Sequence, residues 1–298
     1  MPRLLTVTSI LNKQKKRDSW FLSDYTVNPY EACSFNCFFC YVRGSKYGEN
    51  MAESLAVKTN ALEVLDKQLA ARAKKKQFGF VVLASATDPY LEVEKEYKLS
   101  RGMLELFLKH RFPVHVITRS PLVERDIDLL QQIDKAAILP NDLKRTFGRG
   151  VIVAFSFSTM DEAITNVLES GAPSPTARLK AMQTVSNAGL FCGANLMPLL
   201  PFISDTEKEI DSMVERIKLH GGRYALASSM TLFGNSPGDS RTMYFKFLER
   251  QFPQHVEATR KLFDAGTSVP WSYQNDLAKS AVMACKKHGI ASAIIGTL

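Results

Sequence analysis

Short apolar runs alternate with amphipathic stretches along most of the chain. Six of these runs are rich in Val, Ile and Phe and end near polar, Gly or Pro residues: 25–29, 80–84, 114–118, 151–157, 191–197 and 224–229. Such runs are typical of strands buried in a parallel sheet. The stretches between them carry apolar residues at helical spacing, as at Leu62, Leu65 and Leu69. Strand followed by helix, repeated about six times, predicts an α/β fold, either a parallel barrel or a doubly wound sheet.

The pattern changes after Gly238, where Tyr244, Phe247 and Leu248 predict a helical region. A last apolar run at 290–295 fits either a strand or a tail that packs on the barrel. No Gly-, Ser- or Pro-rich linker divides the chain. We therefore expect three parts: an N-terminal segment at 1–24, a barrel at 25–235, and a C-terminal extension at 236–298 that packs on the barrel.

Polar residues follow nearly every predicted strand. In a βα architecture the active site lies at the carboxyl ends of the strands. A single Ser, Thr or Asp there is as often a turn or helix cap, but a polar group at almost every strand end favours a binding site. Asp88 can simply cap the following turn, and Arg119 can pair with Glu124 or Asp126. The candidates are Thr87, Asp88, Arg119, Ser156, Asn195, Ser228, Ser229 and Thr231.

Three cysteines with the spacing C-x3-C-x2-C, Cys33, Cys37 and Cys40, follow the first predicted strand. Soft thiolate ligands select iron–sulfur clusters or zinc. A structural zinc site needs four closed ligands, and no fourth cysteine or histidine lies at zinc-finger spacing. A [4Fe–4S] cube held by three thiolates keeps one iron open for a ligand. The alternative is a non-catalytic, zinc-dependent nucleic-acid-binding protein, and three unligated core cysteines would be the third possibility.

The net charge of the chain is +8, and its pI is near 9.2. Basic clusters at 13–17 and 72–76 attract polyanions such as nucleic acid. Each cluster taken alone fits a solvated surface at least as well, since Lys74 to Lys76 end a predicted helix, where cations complement the dipole.

The five cysteines do not form a disulfide framework, because Cys192 and Cys285 lie far apart in the sequence. A reducing compartment is therefore favoured. The first 16 residues contain no signal-peptide pattern, and no apolar run is long enough to span a membrane. We expect a cytoplasmic protein.

The cysteine loop, with Phe39 directly before its last cysteine, resembles the signature of the radical S-adenosylmethionine (SAM) enzymes. The resemblance implies a [4Fe–4S] cluster on Cys33, Cys37 and Cys40, with SAM chelated by the open iron. It also implies reductive cleavage of SAM to a 5′-deoxyadenosyl radical that abstracts hydrogen from a substrate. A reductant such as ferredoxin or flavodoxin would supply the electron.

Four further segments resemble the spore-photoproduct-lyase-like branch of that superfamily, whose members are often labelled DNA repair photolyases: 87–90, 118–126, 168–175 with Arg178, and 197–201. The match covers roughly residues 25–235. It implies a partial (β/α)6 barrel with the cluster at its mouth, and weakly favours a nucleic acid substrate over a peptide or metabolite. The SAM contacts that we expect are Phe39, Thr87, Asp88, Arg119, Ser156 and Asn195.

Two positions depart from that branch. Ser85 stands where the lyase has a cysteine that donates a hydrogen atom to the product radical, and a hydroxyl is a far poorer donor than a thiol. Arg119 replaces a lysine, which keeps the charge but changes the donor geometry. Cys192 starts the fifth predicted strand and therefore lies at the wrong end to supply the thiol. We assign no catalytic residue.

Overall fold

The computed structural model describes residues 2–45 and 55–296. The strands in this part of the chain are β1 (Arg3–Leu5), β2 (Asn12–Lys13), β3 (Ser23–Val27), β4 (Tyr30–Glu31), β5 (Ala56–Lys58), β6 (Phe80–Leu83), β7 (Val114–Thr118), β8 (Val151–Ser156), β9 (Cys192–Leu199) and β10 (Ala225–Ser229). The helices are α1 (Ala61–Lys74), α2 (Glu94–Tyr97), α3 (Leu99–His110), α4 (Ile127–Ala136), α5 (Asn141–Thr146), α6 (Glu162–Leu168), α7 (Pro175–Asn187), α8 (Glu207–Leu219), α9 (Ser240–Gln251), α10 (Val256–Leu262) and α11 (Trp271–His288). Short 3-10 helices span Pro121–Asp126 and Pro253–His255.

The main sheet has the order β10-β9-β8-β7-β6-β3-β2. Its strands from β3 to β10 are the six predicted ones, and each pairs in parallel with the next along the chain. A doubly wound sheet would reverse its strand order at a switch point, whereas sequential order is that of a barrel. Among the described residues no strand joins β10 to β2, so the barrel is partial. The α/β prediction is confirmed, as the (β/α)6 form.

The two faces of the sheet bury different sets of residues, because side chains alternate along a strand. In β8, Val151, Val153 and Phe155 pack into the large core shared with the helices. Ile152 points the other way, into a smaller cluster with Phe80, Leu226 and Ile294. This inner cluster fills the barrel at the amino ends of its strands. The interior is therefore open towards the carboxyl ends.

The predicted helices form where the apolar spacing placed them. Leu65 and Leu69 are buried on α1, and Tyr244, Phe247 and Leu248 are buried on α9. Helix α7 begins at Pro175, as its start signal predicted, with the side chain of Ser174 accepting a hydrogen bond from the Ala177 amide.

The run at 290–295 is a packing tail rather than a strand. It makes one isolated parallel bridge, between Tyr224 and Ala291, and it buries Ile294 in the inner cluster. The small sheet β1-β5-β4 was not predicted, because strands of two or three residues leave no periodic signal. In the described residues, no helix has the length and apolar character needed to cross a membrane.

Candidate active site

One cavity of about 540 Å³ occupies the barrel at the carboxyl ends of the strands. The sequence-predicted residues come from the cysteine loop and from four different strand ends, and all of them line it. They are Cys33, Cys37, Phe39, Cys40, Thr87, Asp88, Arg119, Ser156 and Asn195. The fold thus brings together the whole predicted set, from positions that span more than 160 residues of sequence.

On one side, the cysteine loop is hydrogen-bonded to the connection between α6 and α7. The amide of Phe38 donates to the carbonyl of Leu168 at 2.9 Å, and the amide of Gly171 donates to the carbonyl of Phe35 at 3.1 Å. A Cβ atom at Gly171 would lie 2.3 Å from the Ser34 carbonyl oxygen. Only glycine allows the connection to pack this closely on the loop.

The beginning of the C-terminal region holds the loop from the other side through Arg43. The Arg43 Nε donates to the carbonyl of Cys37 at 3.1 Å, and its Nη1 donates to the carbonyl of Gly238 at 3.3 Å. The hydroxyl of Ser240 donates back to the Arg43 carbonyl at 3.3 Å. Sequence reasoning missed Arg43, because nothing local links it to residues almost 200 positions away.

Cys37 is buried, whereas Cys33 and Cys40 are partly exposed. Burial raises the pKa of Cys33 to about 12, with Asp88 adding to the effect, and burial also raises the pKa of Cys37. A soft metal that binds such thiols displaces their protons. Across residues 2–45 and 55–296, no three Cys, His, Asp or Glu side chains converge as ligands of a single ion do. Thiolates of a cube bind different irons, so they do not need to converge on one point.

Asp88 is buried, and both of its carboxylate oxygens accept hydrogen bonds from the protein. Oδ1 accepts from the Tyr90 amide at 2.9 Å and from the Thr118 hydroxyl at 2.7 Å, while Oδ2 accepts from the Arg119 amide at 2.7 Å. Burial raises its pKa. The predicted turn-capping role is therefore present, and the carboxylate also ties the end of β6 to the end of β7. Beside it, the Thr87 hydroxyl donates to the carbonyl of Ala32 at 2.6 Å, at the start of the cysteine loop.

Arg119 lies at the cavity wall, with its guanidinium carbon 5.9 Å from the centre of the Phe39 ring. Its Nε is 3.4 Å from Oε2 of Glu169, an ion pair without hydrogen-bond geometry. The sequence-based alternative of a pair with Glu124 or Asp126 is wrong, since Asp126 pairs with two other arginines. Arg119, with its side chain 18% exposed, is thus a cation at the cavity wall beside the cysteine loop.

Glu169 is the counterion of Arg119 and Arg178. The sequence analysis did not identify it. It is 1% exposed and pairs with the fully buried Arg178, which also donates to the Ser156 carbonyl at 2.9 Å. The Ser158 hydroxyl donates to Glu169 at 2.6 Å. Burial opposes ionisation, but Arg119 and Arg178 outweigh it and lower the pKa of the Glu169 carboxyl. Its only sequence signal was its place in the segment 168–175.

Neutral polar groups form the wall contributed by β8, β9 and β10. Ser156 and Asn195 are register partners on adjacent strands, and both are buried. Within the described chain, the Asn195 Oδ1 and the Ser229 Oγ are buried without a hydrogen-bond partner. The Ser229 amide donates to Gln274 on α11 at 2.9 Å. An unsatisfied buried acceptor in a cavity wall is a site for a hydroxyl or amine of a ligand.

Ser85 lies at the exposed rim of the cavity. Its hydroxyl accepts from the Asn28 amide group at 3.3 Å, and its carbonyl accepts from the Tyr41 hydroxyl at 2.6 Å. Cys192 is fully buried at the start of β9, where its thiol contacts carbonyls of Met182 and Gly221. As predicted, that thiol does not line the cavity.

A family model for the radical SAM superfamily matches residues 27–217. An uncharacterised protein of Mycobacterium tuberculosis (strain H37Rv) is 29% identical over 274 residues, which is 90% of this chain and 75% of that protein. An uncharacterised protein of Methanocaldococcus jannaschii is 26% identical over 184 residues, or 61% of this chain and 63% of that one.

Among solved structures, spore photoproduct lyase complexed with dinucleoside spore photoproduct has a TM-score of 0.66 at 14% identity, covering 97% of this chain and 80% of the lyase. A variant of that lyase with bound AdoMet and dinucleoside spore photoproduct has a TM-score of 0.62 at 15% identity. The match covers 94% of this chain and 80% of the variant. At this identity the likeness shows the fold. The family match shows more: this chain belongs to the radical SAM superfamily, whose members are enzymes that use a [4Fe–4S] cluster and SAM.

Proposed function

We propose that Cys33, Cys37 and Cys40 hold the [4Fe–4S] cluster and that SAM occupies the adjoining cavity. When bound and reduced, the cluster supplies the electron that cleaves SAM to methionine and a 5′-deoxyadenosyl radical, which abstracts hydrogen from the substrate. The observation that carries the proposal is the convergence of the three cysteines and the six expected SAM contacts on one cavity.

The residues of the cavity suit the chemical groups of SAM. Arg119 is a cation that can donate charge-assisted hydrogen bonds to a carboxylate, and Phe39 packs beside it. On the neighbouring strands β8 and β9, Ser156 offers a hydroxyl and Asn195 an unsatisfied buried oxygen, which suit ribose hydroxyls. Thr87 and Asp88 keep the cysteine loop and the ends of β6 and β7 in place. The inner cluster closes the base of the barrel and restricts the entry of water there.

Contacts around the cavity support the division of the chain into three parts that the sequence predicts. We propose that 25–235 is the catalytic barrel and that 236–298 is an extension packed on it, contributing contacts from Gly238, Ser240 and Gln274. Residues 1–24 add β1 and β2 to the edges of the two sheets. Radical SAM enzymes need a reductant, and we propose ferredoxin or flavodoxin for this role.

The substrate is proposed to be nucleic acid, with chemistry that differs from that of the lyase at one step. After hydrogen abstraction, a product radical must regain a hydrogen atom. Ser85 holds a hydroxyl at the corresponding place, which donates hydrogen atoms poorly. We therefore expect a different substrate or a different donor from those of the photoproduct reaction.

Anaerobic reconstitution with iron and sulfide tests the proposal. Reconstituted protein with SAM and dithionite should release 5′-deoxyadenosine and methionine without substrate, slowly, and its visible absorbance should bleach on reduction. Colourless protein that binds one zinc would favour the zinc-dependent alternative. A reducible cluster that yields no 5′-deoxyadenosine over hours would refute the radical chemistry but not the metal site.

A further inference from the structure

Three basic segments that are distant in sequence lie side by side at the amino ends of the strands. After β2 the chain runs down the edge of β3, and the Asp18 amide donates to the carbonyl of Ser23, the first residue of β3. Residues 72–76 end α1 shortly before β6, and α5 precedes β8. We call their cations the basic face: Lys13, Lys15, Lys16, Arg72, Lys74, Lys75, Lys76, Lys144 and Arg145.

Specific contacts join the three segments. The Leu11 amide donates to the Gln68 side chain of α1 at 2.9 Å. The Arg72 guanidinium lies 6.0 Å from the ring centre of Tyr25, which is the register partner of Lys13. On the other side, Arg17 forms ion pairs with Asp24 and with Asp142 of α5. Arg17 therefore uses its own charge to bring α5 next to the N-terminal segment.

The basic face concentrates positive charges that have no carboxylate partner among the described residues. Within the described chain, none of its nine cations forms an ion pair, and all except Arg72 are exposed. Lysines elsewhere commonly have carboxylate partners, such as Lys109 with Asp66 and Lys287 with Asp211. Nine uncompensated cations on one side account for the sign of the net charge of +8. Such a surface attracts polyanions.

The basic face is continuous with the cavity along the open edge of the barrel. Gln14, between Lys13 and Lys15, and Asp18, two residues after Lys16, line the cavity together with Ser23 and Thr26. Trp20, in the same segment, is 43% exposed. A polymer lying on these lysines would therefore pass the side entrance of the cavity, where an indole ring is available for stacking on a base.

We propose that the basic face binds the phosphate backbone of a single-stranded nucleic acid and presents a nucleotide to the cavity through the open edge. Phosphate binding is independent of the cluster, whereas presentation of the nucleotide rests on the proposed function. An acidic electron donor fits this surface poorly. It would have to approach the cysteine loop, which lies beyond the carboxyl end of β3, and a five-residue strand is about 15 Å long.

Oligonucleotide binding to the full-length, reconstituted protein tests this assignment. The probe is a fluorescein-labelled, mixed-sequence 20-nucleotide DNA strand, followed by anisotropy over a range of salt concentrations. Reversing two cations, Lys15→Glu with Lys16→Glu, should weaken binding at least tenfold and flatten the dependence of log Kd on log salt. Each lost phosphate contact to a single strand lowers that slope by about 0.7.

The matched control reverses two exposed lysines on α7 and α8, which precede β9 and β10 at the other end of the strand order from β2, Lys180→Glu with Lys208→Glu. It changes the net charge equally, so general attraction would reduce affinity in both variants alike. We expect less than a threefold effect in the control. Equal losses in the two variants, unchanged affinity in the Lys15/Lys16 variant, or binding to phosphatidylserine vesicles but not to the oligonucleotide would overturn the proposal.

The same preparations separate this inference from the proposed chemistry. The Lys15/Lys16 variant should cleave SAM at the parental rate, because those lysines do not line the cavity. Absence of 5′-deoxyadenosine from every preparation would refute the proposed chemistry, while the contrast in oligonucleotide affinity would remain. Circular dichroism checks the fold, and Lys15→Ala with Lys16→Ala replaces the charge reversal if that variant misfolds.

Discussion

Glu169 offers the sharpest test of how the site is held together. Glu169→Gln removes the charge that Arg119 and Arg178 share, while it keeps the shape of the side chain. Glu169 is 1% exposed and Arg178 0% exposed, so water cannot replace the lost counterion. Removing one partner of a buried ion pair costs about 3–5 kcal/mol. This is a large share of the roughly 5–15 kcal/mol by which proteins are stable.

Thermal unfolding followed by circular dichroism measures the effect. At about 2 °C or more per kcal/mol for a chain of this size, the midpoint should fall by at least about 6 °C at pH 7. The control is Glu257→Gln, which breaks a 3.0 Å pair with Lys261 whose side chains are 82% and 70% exposed. Exposed pairs contribute little, so that midpoint should hardly move. A shift for Glu169→Gln as small as that of the control would refute the buried network.

The pH dependence of stability is a second test of the same substitution. The two arginines lower the pKa of Glu169 in the folded protein, so its contribution is complete above the ordinary carboxyl value of about 4.3. It is lost as the pH falls through the lower, folded pKa. The difference in unfolding free energy between the parent and Glu169→Gln should therefore be largest near pH 7 and should decrease in acid. A difference that widens in acid would contradict the direction of the shift.

Four further substitutions test the parts of the site. Cys37→Ala should leave two thiolates and fail to retain a cluster that reduces SAM, measured as iron per chain and 5′-deoxyadenosine, whereas Cys285→Ala on α11 should retain both. Gly171→Ala, whose Cβ would meet the Ser34 carbonyl at 2.3 Å, should displace the cysteine loop and lower iron retention; Gly266→Ala, with nothing within 4 Å of its Cβ, should not. Arg119→Ala should raise the SAM dissociation constant at least several-fold, because charge-assisted hydrogen bonds contribute about 1.5–3 kcal/mol; an unchanged constant in a folded variant would remove Arg119 from the SAM site. Spore photoproduct should be a poor substrate, and Ser85→Cys should gain clean turnover to unmodified dinucleotide; multiple clean turnovers by the parent would reveal an unrecognised hydrogen donor.

Apolar periodicity alone was sufficient to locate the six strands of the barrel. Buried parallel strands are continuous apolar runs, and their ends fall within two residues of the observed ones, as for Val114–Thr118. The same pattern could not choose between a barrel and a doubly wound sheet. That choice depends on which strands pair, and pairing is decided by packing between elements far apart in the chain.

In the candidate active site, too, the sequence predicted some residues and only the structure showed the others. Residue type and spacing were enough to identify the three cysteines and the polar strand ends, because parallel strands bring their carboxyl ends to one edge whatever their separation in sequence. The partners of those residues were not predictable. Glu169 lies 50 positions from Arg119, and Arg43 almost 200 from Gly238, so no local pattern links them.

The basic clusters show the difference most clearly. For each cluster taken alone the sequence favours a solvated surface, because a run of lysines carries no information about its neighbours in the fold. Only the tertiary structure places 13–17, 72–76 and α5 together and leaves the nine cations of the basic face without carboxylate partners in the described chain. Sequence by itself determined the elements and the chemistry of single residues. The tertiary structure alone decided which charges compensate one another, since electrostatic interactions depend on distance through space and not on separation along the chain.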